Sequence, residues 1–497
     1  MSANPLPMNI TFRKLVVALL VFAGLHRITA EPLLPLYDFN FNEGNYPTAN
    51  LIVSGNILYG TMYLVGDTGK GVVFRMNSDG TGLTNLHQFS QLFYYEDFDV
   101  YTNSDGGEPQ GGLILAGNTL FGTASVGGGA GKGTVFRLNT DGTGFATLYT
   151  FTGLAGTRAT NADGANPVGL ILSGDTLYGV AGFGGPAGAG TVFRLNTNGR
   201  GFVTLYGFED PNNDGANPAG VVLSGGMLFG TARSGGGSGK GAVFRLNTNG
   251  TAFTNLHGFT EVSGSFPFTN DDGANPTAGL IAVGDTVYGT ATYGGHAGKG
   301  TVFVTGASAG GFTTLHHFTQ TVVPNANDDG ANPLFGLTLA GSTLYGTASS
   351  GGTTGNGAVF SLGTDGTGFV NLYSFSAETF SGKYYTNRDG SGPSTGVIIS
   401  GDTLYGLTRY GGLFGFGTAF ALSLAPAPPA VSVVVEASGQ LTFSWPSSAT
   451  GYLLQQNPDL GPTHWSDFTG TVNDDGANKS VHLKLATGNV FYRLLHP

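Results

Sequence analysis

The groups best suited to chemistry in this chain are carboxylates that recur at one position of a repeated pattern. The pattern is Asp-Gly-x-x-Pro, and its aspartates are Asp105, Asp163, Asp214, Asp272, Asp329 and Asp389. Clustered carboxylate and carbonyl oxygens are ligands for Ca²⁺, and the doublets Asp271-Asp272 and Asp328-Asp329 would favour such a site. The alternative is a turn, in which Asp accepts backbone hydrogen bonds, Gly takes a positive φ and Pro begins a strand. We favour the turn, because the phrase recurs at Asn473–Asn478 in a segment of different character.

Three histidines could ligate a metal, but their position in the pattern argues against it. His87, His257 and His316 occupy the second position of a Leu-(Tyr/His)-x-Phe phrase that elsewhere holds tyrosine. Metal ligands must converge within a few ångströms, whereas these copies fall in different repeat units. His317 would point to the opposite face of its strand from His316. We therefore predict structural histidines, no metal site and no cofactor.

A further set of candidates is found where the units differ, directly before a Gly-rich loop. The residues there that could stack on a sugar ring or anchor a partner protein are Tyr63, Phe183, Arg233, Tyr293, Arg409 and Tyr410. Insertions between units add the aromatic residues Phe93, Tyr94, Tyr95, Tyr384 and Tyr385. Exposed aromatic rings beside polar and charged groups suit either role. The alternative is that these rings pack over long loops and stabilise them.

Other site chemistries lack the residues that they need. The chain has no cysteine, which excludes disulfides, thiolate ligands and cysteine nucleophiles. The loop Gly127–Gly133 has the composition of a phosphate cradle, but a P-loop leads into a helix and the strand-like segment Thr134–Asn139 follows here. No serine-hydrolase triad stands out. The acids Glu96, Asp97 and Asp99 lie in one loop and do not form the opposed pair of a glycosidase, so we predict no catalytic residues.

Short strands within a repeated unit must position these groups. Three phrases recur in constant order: Leu-(Tyr/His)-x-Phe, (Tyr/Phe)-Gly, and (Val/Ala)-Phe after a Gly-rich loop. Successive (Tyr/Phe)-Gly copies are 51 to 62 residues apart, which is typical of a β-propeller rather than a helical solenoid. In the third unit the pattern predicts strands at 168–172, 176–181, 191–196 and 202–208, separated by Gly, Asp and Asn turns. The fold class we predict is all-β.

The number of strands is offset by one between the two ends of the chain. The first Leu-(Tyr/His)-x-Phe copy, Leu36–Phe39, precedes the first full unit, whereas the unit that starts near Gly396 lacks one. We therefore predict a seven-bladed β-propeller over residues 31–424, in which the N-terminal strand at 36–39 completes the last blade. Such closure would cover strand edges that otherwise promote aggregation.

The third unit resembles the Gloeo/Verruco tandem repeat. The resemblance is carried by Asp163–Leu172, Thr176–Gly179, Gly190–Asn196 and Phe202–Phe208. Similar units extend over residues 36–424. The resemblance implies a secreted or cell-surface bacterial protein with a β-propeller-like fold. It implies no established activity, so it transfers no catalytic residues to this chain.

The first 30 residues are typical of a secretion signal. Arg13 and Lys14 precede the apolar run Leu15–Leu25, which is short for a membrane span of about 20 residues. An uncleaved anchor is the alternative. Cleavage would remove three of the 20 basic residues and none of the 31 acidic ones, leaving a formal charge of −14. Nucleic acid requires a basic surface, so we predict no nucleic-acid partner and no membrane span after cleavage.

A second, smaller domain follows the Pro-rich linker 425–428. Residues 429–497 contain short alternating strands with Trp445 and Tyr492 as expected core anchors. The predicted strands are 431–435, 441–445, 452–456, 481–485 and 490–494. This segment resembles the small fibronectin-like β-sandwich that is appended to many secreted bacterial proteins.

Three functions are compatible with these features. We favour a non-catalytic, monomeric binding or structural scaffold that is secreted or held at the cell surface, with polysaccharide or a surface protein as its partner. The second is a secreted carbohydrate-active enzyme, such as a glycosidase or lyase. The third is a purely structural surface protein without a small ligand. Binding of polysaccharide without turnover would distinguish the first from the second.

Overall fold

The described part of the protein is built from strands alone. A computed structural model describes residues 33–64, 69–95, 100–264, 266–306, 311–322, 325–424, 431–435, 440–448, 452–458, 465–484 and 490–495. The predicted secretion signal 1–30 and the linker 425–428 lie outside these residues. No helix is present among them, so none is available to cross a membrane. The predicted all-β class is confirmed.

The chain divides into two compact units, of which the larger is Leu33–Leu424. Its described residues form seven antiparallel sheets of four or five strands, together with two hairpins. The first strand of the chain is β1 (Leu33–Asp38). Sheet 1 contains β2 (Asn45–Pro47), β3 (Ile52–Ser54), β4 (Ile57–Leu64), β5 (Val72–Asn77) and β6 (Thr84–Gln88). The first hairpin is β7 (Phe93–Tyr95) with β8 (Val100–Thr102).

The next three sheets each contain four strands. Sheet 2 contains β9 (Ile114–Ala116), β10 (Thr119–Ala124), β11 (Thr134–Asn139) and β12 (Ala146–Thr150). Sheet 3 contains β13 (Ala165–Ser173), β14 (Thr176–Phe183), β15 (Thr191–Asn196) and β16 (Val203–Gly207). Sheet 4 contains β17 (Ala216–Ser224), β18 (Met227–Ser234), β19 (Ala242–Asn247) and β20 (Thr254–Gly258).

The last three sheets follow the same order. Sheet 5 contains β21 (Ile281–Val283), β22 (Thr286–Ala291), β23 (Thr301–Gly306) and β24 (Thr313–His317). Sheet 6 contains β25 (Thr338–Ala340), β26 (Thr343–Ala348), β27 (Ala358–Gly363) and β28 (Val370–Ser374). The second hairpin is β29 (Thr379–Phe380) with β30 (Tyr385–Thr386). Sheet 7 contains β31 (Ser391–Pro393), β32 (Ile398–Ser400), β33 (Thr403–Tyr410), β34 (Thr418–Ser423) and β1.

The strands of the third unit lie where the sequence pattern predicts them, with differences at their ends. The first strand, β13, is Ala165–Ser173 rather than 168–172, β14 continues to Phe183 rather than 181, and β16 is Val203–Gly207 rather than 202–208. The additional pairing includes Ala165 opposite Phe183, beyond an irregularity between Pro167 and Gly169. Proline cannot donate a ladder hydrogen bond, which is why hydrophobic alternation alone placed the start of this strand too late.

Buried side chains lie between neighbouring sheets. Six clusters join consecutive sheets, and a further cluster joins sheet 7 to sheet 1 through residues that include Phe39, Leu58 and Leu407. The phenylalanine that ends each Leu-(Tyr/His)-x-Phe phrase is buried in all seven copies. The glycine of (Tyr/Phe)-Gly makes room for another ring, since a Cβ at Gly179 would lie 2.5 Å from Cζ of Phe193. The repeated phrases are therefore packing signals.

The N-terminal strand β1 pairs with β34, near the other end of the larger unit. The pairing is antiparallel, with Leu34 opposite Ala421 and Asp38 opposite Thr418. The amide of Phe39 continues the ladder by donating to the carbonyl of Gly417 over 3.0 Å. Strand β1 is therefore hydrogen-bonded to sheet 7.

The C-terminal unit contains two small antiparallel sheets. The first has β35 (Ser432–Val435), β36 (Gln440–Pro446), β39 (Asn473–Asp474) and β40 (Asn478–Lys484), and the second has β37 (Leu453–Asn457), β38 (Ser466–Asp467) and β41 (Phe491–Leu495). Trp445 and Leu454 belong to one buried cluster that both sheets supply, and Tyr492 packs against it. The fibronectin-like assignment of this unit stays a prediction.

Candidate functional site

The recurring Asp-Gly turns are held by hydrogen bonds from the preceding sheet. The carboxylate of Asp163 accepts from the hydroxyl of Tyr149 over 2.8 Å and from the amide of Thr152 over 2.9 Å. Burial, together with the hydrogen bond to Asp163, raises the pKa of Tyr149. Gly164 has a φ of 97°, a conformation that glycine adopts without strain. These contacts match the predicted turn.

The histidines of the repeat bond the same carboxylates as the tyrosines. Nε2 of His257 lies 2.8 Å from Oδ2 of Asp272, and the His257 ring stacks on Phe312 with centroids 3.6 Å apart. Burial opposes ionisation of Asp272, but hydrogen bonds from His257 and Thr260 outweigh it and hold the pKa of this carboxyl below its usual value. Within the described ranges, no group of three or more His, Asp or Glu side chains is arranged to hold a metal ion.

One backbone position makes the seven sheets directly comparable. The residue before the proline of each turn has a left-handed φ of 54° to 56°. In sheet order, the residues at this position are Tyr46, Glu108, Asn166, Asn217, Asn275, Asn332 and Gly392. Asparagine and glycine tolerate this conformation, whereas it strains larger side chains. Tyr46 and Glu108 are therefore the two residues of unfavourable type, and they lie in consecutive sheets.

Asparagine has a repeated role at this position. The side-chain amide of Asn275 donates to the backbone carbonyl of Arg233 in the preceding sheet over 3.0 Å. Asn217 and Asn332 do the same to Gly182 and Thr292, over 2.9 and 3.1 Å. Each acceptor belongs to the variable two-residue segment that precedes a Gly-rich loop. At these three junctions the contact links that segment to the next sheet.

Where asparagine is replaced, the side chains meet instead. The guanidinium carbon of Arg409 lies 5.2 Å from the ring centroid of Tyr46 and 5.5 Å from that of Tyr410. The two tyrosine rings are 5.8 Å apart at an angle of 74°. Gly392 lies beside them, since a Cβ there would be in van der Waals contact with Tyr410 at 3.4 Å. Such cation–π contacts stabilise a cation beside an aromatic face.

The next junction continues the same group of side chains. The hydroxyl of Tyr63 donates to Oε2 of Glu108 over 2.9 Å, and Nζ of Lys70 lies 3.7 Å from Oε1. Burial and the hydrogen bond to Glu108 raise the pKa of Tyr63, while the positive charge of Arg409 opposes this shift. We call the six residues Tyr46, Tyr63, Lys70, Glu108, Arg409 and Tyr410 the Arg409 cluster.

The structure brings three sequence-predicted candidates, Tyr63, Arg409 and Tyr410, into this cluster. Phe183 and Tyr293 are about half exposed at the positions of sheets 3 and 5 that correspond to Tyr410. No ring contact or hydrogen bond among the described residues joins these two side chains, or Arg233, to the Arg409 cluster. Among the sequence-predicted candidates, Arg409 and Tyr410 are in contact, and Tyr63 is linked to Arg409 by the effect of the Arg409 charge on its pKa.

The aromatic residues of the two insertions lie in hairpins outside the seven sheets. Phe93 and Tyr94 are exposed on β7, and the Tyr94 ring is 4.9 Å from that of Tyr101; the side chain of Tyr95 lies outside the described part of the structure. Tyr385 packs against Phe380 at 5.2 Å. These contacts are internal to each hairpin.

Tyr384 packs over a long loop, which is the alternative to ligand binding for these aromatic residues. Its ring lies 4.8 Å from that of Phe416 in the Gly-rich loop of sheet 7, and Nζ of Lys383 lies 4.9 Å from its centroid. A Cβ at Gly415 would approach Tyr384 to 2.7 Å. The Tyr384 ring thus packs over the loop, as a loop-stabilising residue would.

Sequence reasoning did not identify Tyr46, Lys70 and Glu108. A signal for two of them was present, because aligning the prolines of the turns shows Tyr46 and Glu108 at a position that otherwise holds Asn or Gly. The first turn is written Glu-Gly-Asn-Tyr-Pro rather than Asp-Gly-x-x-Pro, which hides this correspondence. Lys70 carried no comparable signal.

Comparison with known proteins identifies the repeat. The family model described as the Gloeobacter/Verrucomicrobia repeat matches residues 25–159, 94–270 and 262–420. No curated protein sequence matches the chain significantly.

Similar solved structures include an oligogalacturonate lyase in complex with manganese, 10% identical over 79% of this chain and 93% of that chain, with a TM-score of 0.48. A Mycobacterium tuberculosis puromycin-hydrolyzing peptidase is 13% identical over 82% of this chain and 59% of that chain, with a TM-score of 0.45. A nidogen/laminin complex is 16% identical over 53% of this chain and 75% of that chain, with a TM-score of 0.33.

The tandem-repeat resemblance rests on the three family matches, which together span residues 25–420. The chain belongs to the Gloeobacter/Verrucomicrobia repeat family.

Proposed function

We propose that this protein is a non-catalytic, extracellular or cell-surface binding module whose ligand contacts the Arg409 cluster. The observation that carries the proposal is the departure from the repeat at Tyr46 and Glu108, together with the contacts of Arg409 and Tyr410 with Tyr46. At the position of Tyr46 and Glu108 the other five sheets hold asparagine or glycine, and three of those asparagines donate to a backbone carbonyl of the preceding sheet. In the cluster, large aromatic and charged side chains take their place, and Arg409 and Tyr410 are exposed.

We further propose that the seven sheets are the blades of one ring, closed by β1. The buried cluster between sheets 7 and 1 supports this arrangement, as does the pairing of β1 with β34. A side-chain contact also joins the two ends, because Oδ1 of Asn50 accepts from the amide of Gly396 over 2.8 Å. In a ring, the Arg409 cluster would lie where the first and last blades meet, on a surface held by both.

Carbohydrate is the ligand class that the cluster favours. Tyrosine rings present flat apolar faces with polar edges, which suit the faces of sugar rings. Glu108, Lys70 and Tyr63 supply acceptors and donors for hydroxyl groups. The formal charge of −11 over the whole chain disfavours nucleic acid through long-range repulsion. A surface protein with a polar epitope is the other partner that we consider.

A binding screen coupled to a turnover assay tests this function. The purified full chain is applied to arrays of plant, algal and bacterial glycans, and each bound glycan is then incubated with the protein and analysed for released sugars. The matched variants Tyr46→Asn and Tyr410→Ser introduce the residues found at equivalent positions of other sheets. We expect glycan binding that both variants weaken, without sugar release. Release of sugars, or binding that is unchanged in both variants, would refute the proposal.

A further inference from the structure

Arg409 carries a positive charge that no carboxylate in the described part of the chain neutralises. Within the described residues, no Asp or Glu oxygen lies within 4.0 Å of its guanidinium, whereas Lys70 is paired with Glu108 at 3.7 Å. Arg409 is exposed, in contact with Tyr46 and Tyr410. Its five N–H donors form a planar fork that matches the two oxygens of a carboxylate. The geometry therefore leaves one oriented cationic group available to an anion.

The groups around Arg409 limit what kind of anion fits. The centroids of the Tyr46 and Tyr410 rings are 5.8 Å apart, and the ring planes are nearly perpendicular at 74°. A ligand ring could therefore stack on one of the two tyrosines while its edge contacts the other, but it could not be sandwiched between two parallel rings. At the neighbouring junction, Glu108 accepts a hydrogen bond from Tyr63 and retains capacity for further donors. A ligand that reaches both Arg409 and Glu108 needs a carboxylate and hydroxyl donors on one compact, flat-faced body.

We propose that the Arg409 cluster recognises a uronic acid, a sugar ring that carries a carboxylate, through a charge-assisted bond to Arg409. This inference rests on the proposed function, because it names the sugar class that the binding module takes. The uronate carboxylate accepts from the guanidinium, one face of the sugar lies on a tyrosine ring, and its hydroxyls reach Glu108.

The net charge of the protein limits the kinds of polysaccharide in which it could bind this sugar. A formal charge of −11 repels a continuous polyanion over distances comparable to the Debye length. The cluster itself offers one unpaired cation. A mostly neutral polysaccharide with isolated uronate residues, as side groups or chain ends, fits this balance better than an unbroken polyuronate.

Paired oligosaccharides test the inference directly. The probes are a neutral xylo-oligosaccharide that bears one glucuronic acid and the same molecule after reduction of its carboxyl to an alcohol. Titration calorimetry measures the binding of each probe to the full chain and to Arg409→Gln. A charge-assisted hydrogen bond of this kind corresponds to about a 10- to 100-fold change in affinity. We expect carboxyl reduction and Arg409→Gln each to weaken binding by that factor, with little further loss when they are combined.

The matched control is Arg233→Gln. Arg233 occupies the position that corresponds to Arg409 in sheet 4 and is exposed, but its neighbours are Ser234 and Asn275 rather than two tyrosines. Its substitution should leave the affinity for the acidic probe within about twofold. Circular dichroism and the unfolding midpoint of both variants report whether either substitution disturbs the fold.

The outcomes separate failure of the inference from failure of the proposed function. If the acidic and reduced probes bind equally well, the uronate assignment is wrong while glycan binding stands. If no glycan binds, both proposals fail. If a short peptide rich in Asp and Glu binds as tightly as the acidic probe and loses affinity equally in Arg409→Gln, the cluster recognises carboxylates of proteins and the sugar assignment is overturned.

Discussion

Phe39 provides a sharp test of whether the N-terminal strand closes the larger unit. Its side chain is fully buried, in the cluster that joins sheet 7 to sheet 1. Its ring lies 5.9 Å from that of Phe74 and 5.4 Å from that of Tyr37. Truncation of a buried phenylalanine to alanine removes these contacts and leaves a cavity, at about 3–5 kcal/mol of folding free energy. We expect a loss of this size for Phe39→Ala.

Phe41 supplies the matched control for the same substitution. It lies two residues after Phe39, but its side chain is 63% exposed, and its ring centroid lies 6.0 Å from that of Phe416. Phe41→Ala should therefore cost no more than about 1 kcal/mol. Both variants change one aromatic ring into a methyl group in the same short segment, so the difference between them isolates the packing of the closing strand.

The assay exploits the positions of the two tryptophans. Trp445 and Trp465 are the only tryptophans and both lie after residue 424, so their fluorescence reports on the C-terminal unit, while far-UV circular dichroism is dominated by the larger one. In urea, Phe39→Ala should shift the midpoint of the dichroism transition to lower urea, with the tryptophan transition unchanged. Equal midpoints for Phe39→Ala and Phe41→Ala would refute closure by β1, since the buried ring would then contribute nothing to the cooperative unit.

Four further outcomes are expected. Leu34→Cys with Ala421→Cys, directly opposed in β1 and β34, should form a disulfide that raises stability by up to about 5 kcal/mol, because it closes a very long loop of the unfolded chain; unfolding with and without reductant measures this. The lowered folded-state pKa of Asp272 stabilises the fold above the unfolded value near pH 4 and loses that effect as the pH falls further, so Asp272→Asn should flatten the acid limb of stability against pH. His257→Tyr should cost less than about 1 kcal/mol, whereas His257→Leu, which removes the side-chain donor of His257 and leaves the buried Asp272 carboxylate with Thr260 alone, should cost about 1–3 kcal/mol in urea unfolding. Tyr46→Asn should stabilise the fold by about 1 kcal/mol by relieving the left-handed backbone, as measured by the same unfolding curve.

The repeated part of the fold could be predicted because each phrase carries its own packing reason. The strand Thr191–Asn196 was placed at its observed bounds, since Gly precedes it and alternating apolar residues fill it. The exchange of His for Tyr at His257 was interpretable because both rings can stack on a neighbour and reach an aspartate. Sequence patterns within one unit are enough to predict a contact when the same contact partner recurs in every unit.

The candidate site could be predicted only in part because it depends on contacts that do not recur. Arg409 and Tyr410 stood out as variable residues, but nothing near them in the sequence points to Tyr46, which lies more than 350 residues earlier. The contacts of Tyr46 with Arg409 and Tyr410 can be predicted only when sheet 7 is placed beside sheet 1. Glu108 likewise acquires its role from Tyr63 in the preceding sheet. Long-range junctions of this kind are invisible to periodicity, which compares residues within a unit.

The backbone conformation at Tyr46 and Glu108 strengthens the argument that this junction serves binding. A left-handed φ costs a residue with a Cβ about 1–2 kcal/mol, and asparagine or glycine holds this position in the other five sheets. Tyrosine and glutamate also lack the amide-to-carbonyl bond that Asn275 makes to the preceding sheet.

Two strained positions at consecutive junctions, both directing their side chains into one cluster, are not explained by the stability of the fold. Strain of this size persists where the surrounding structure holds the residue in place, and such positions are concentrated at binding and catalytic sites. In a repeat protein the remaining units carry most of the stability, so two adjacent junctions can depart from the preferred residue without unfolding the chain. The carboxylates of the Asp-Gly turns accept hydrogen bonds within the fold, as Asp163 and Asp272 do, whereas the Arg409 cluster retains an exposed cation beside aromatic rings. We therefore expect a ligand of this repeat array to bind at Arg409.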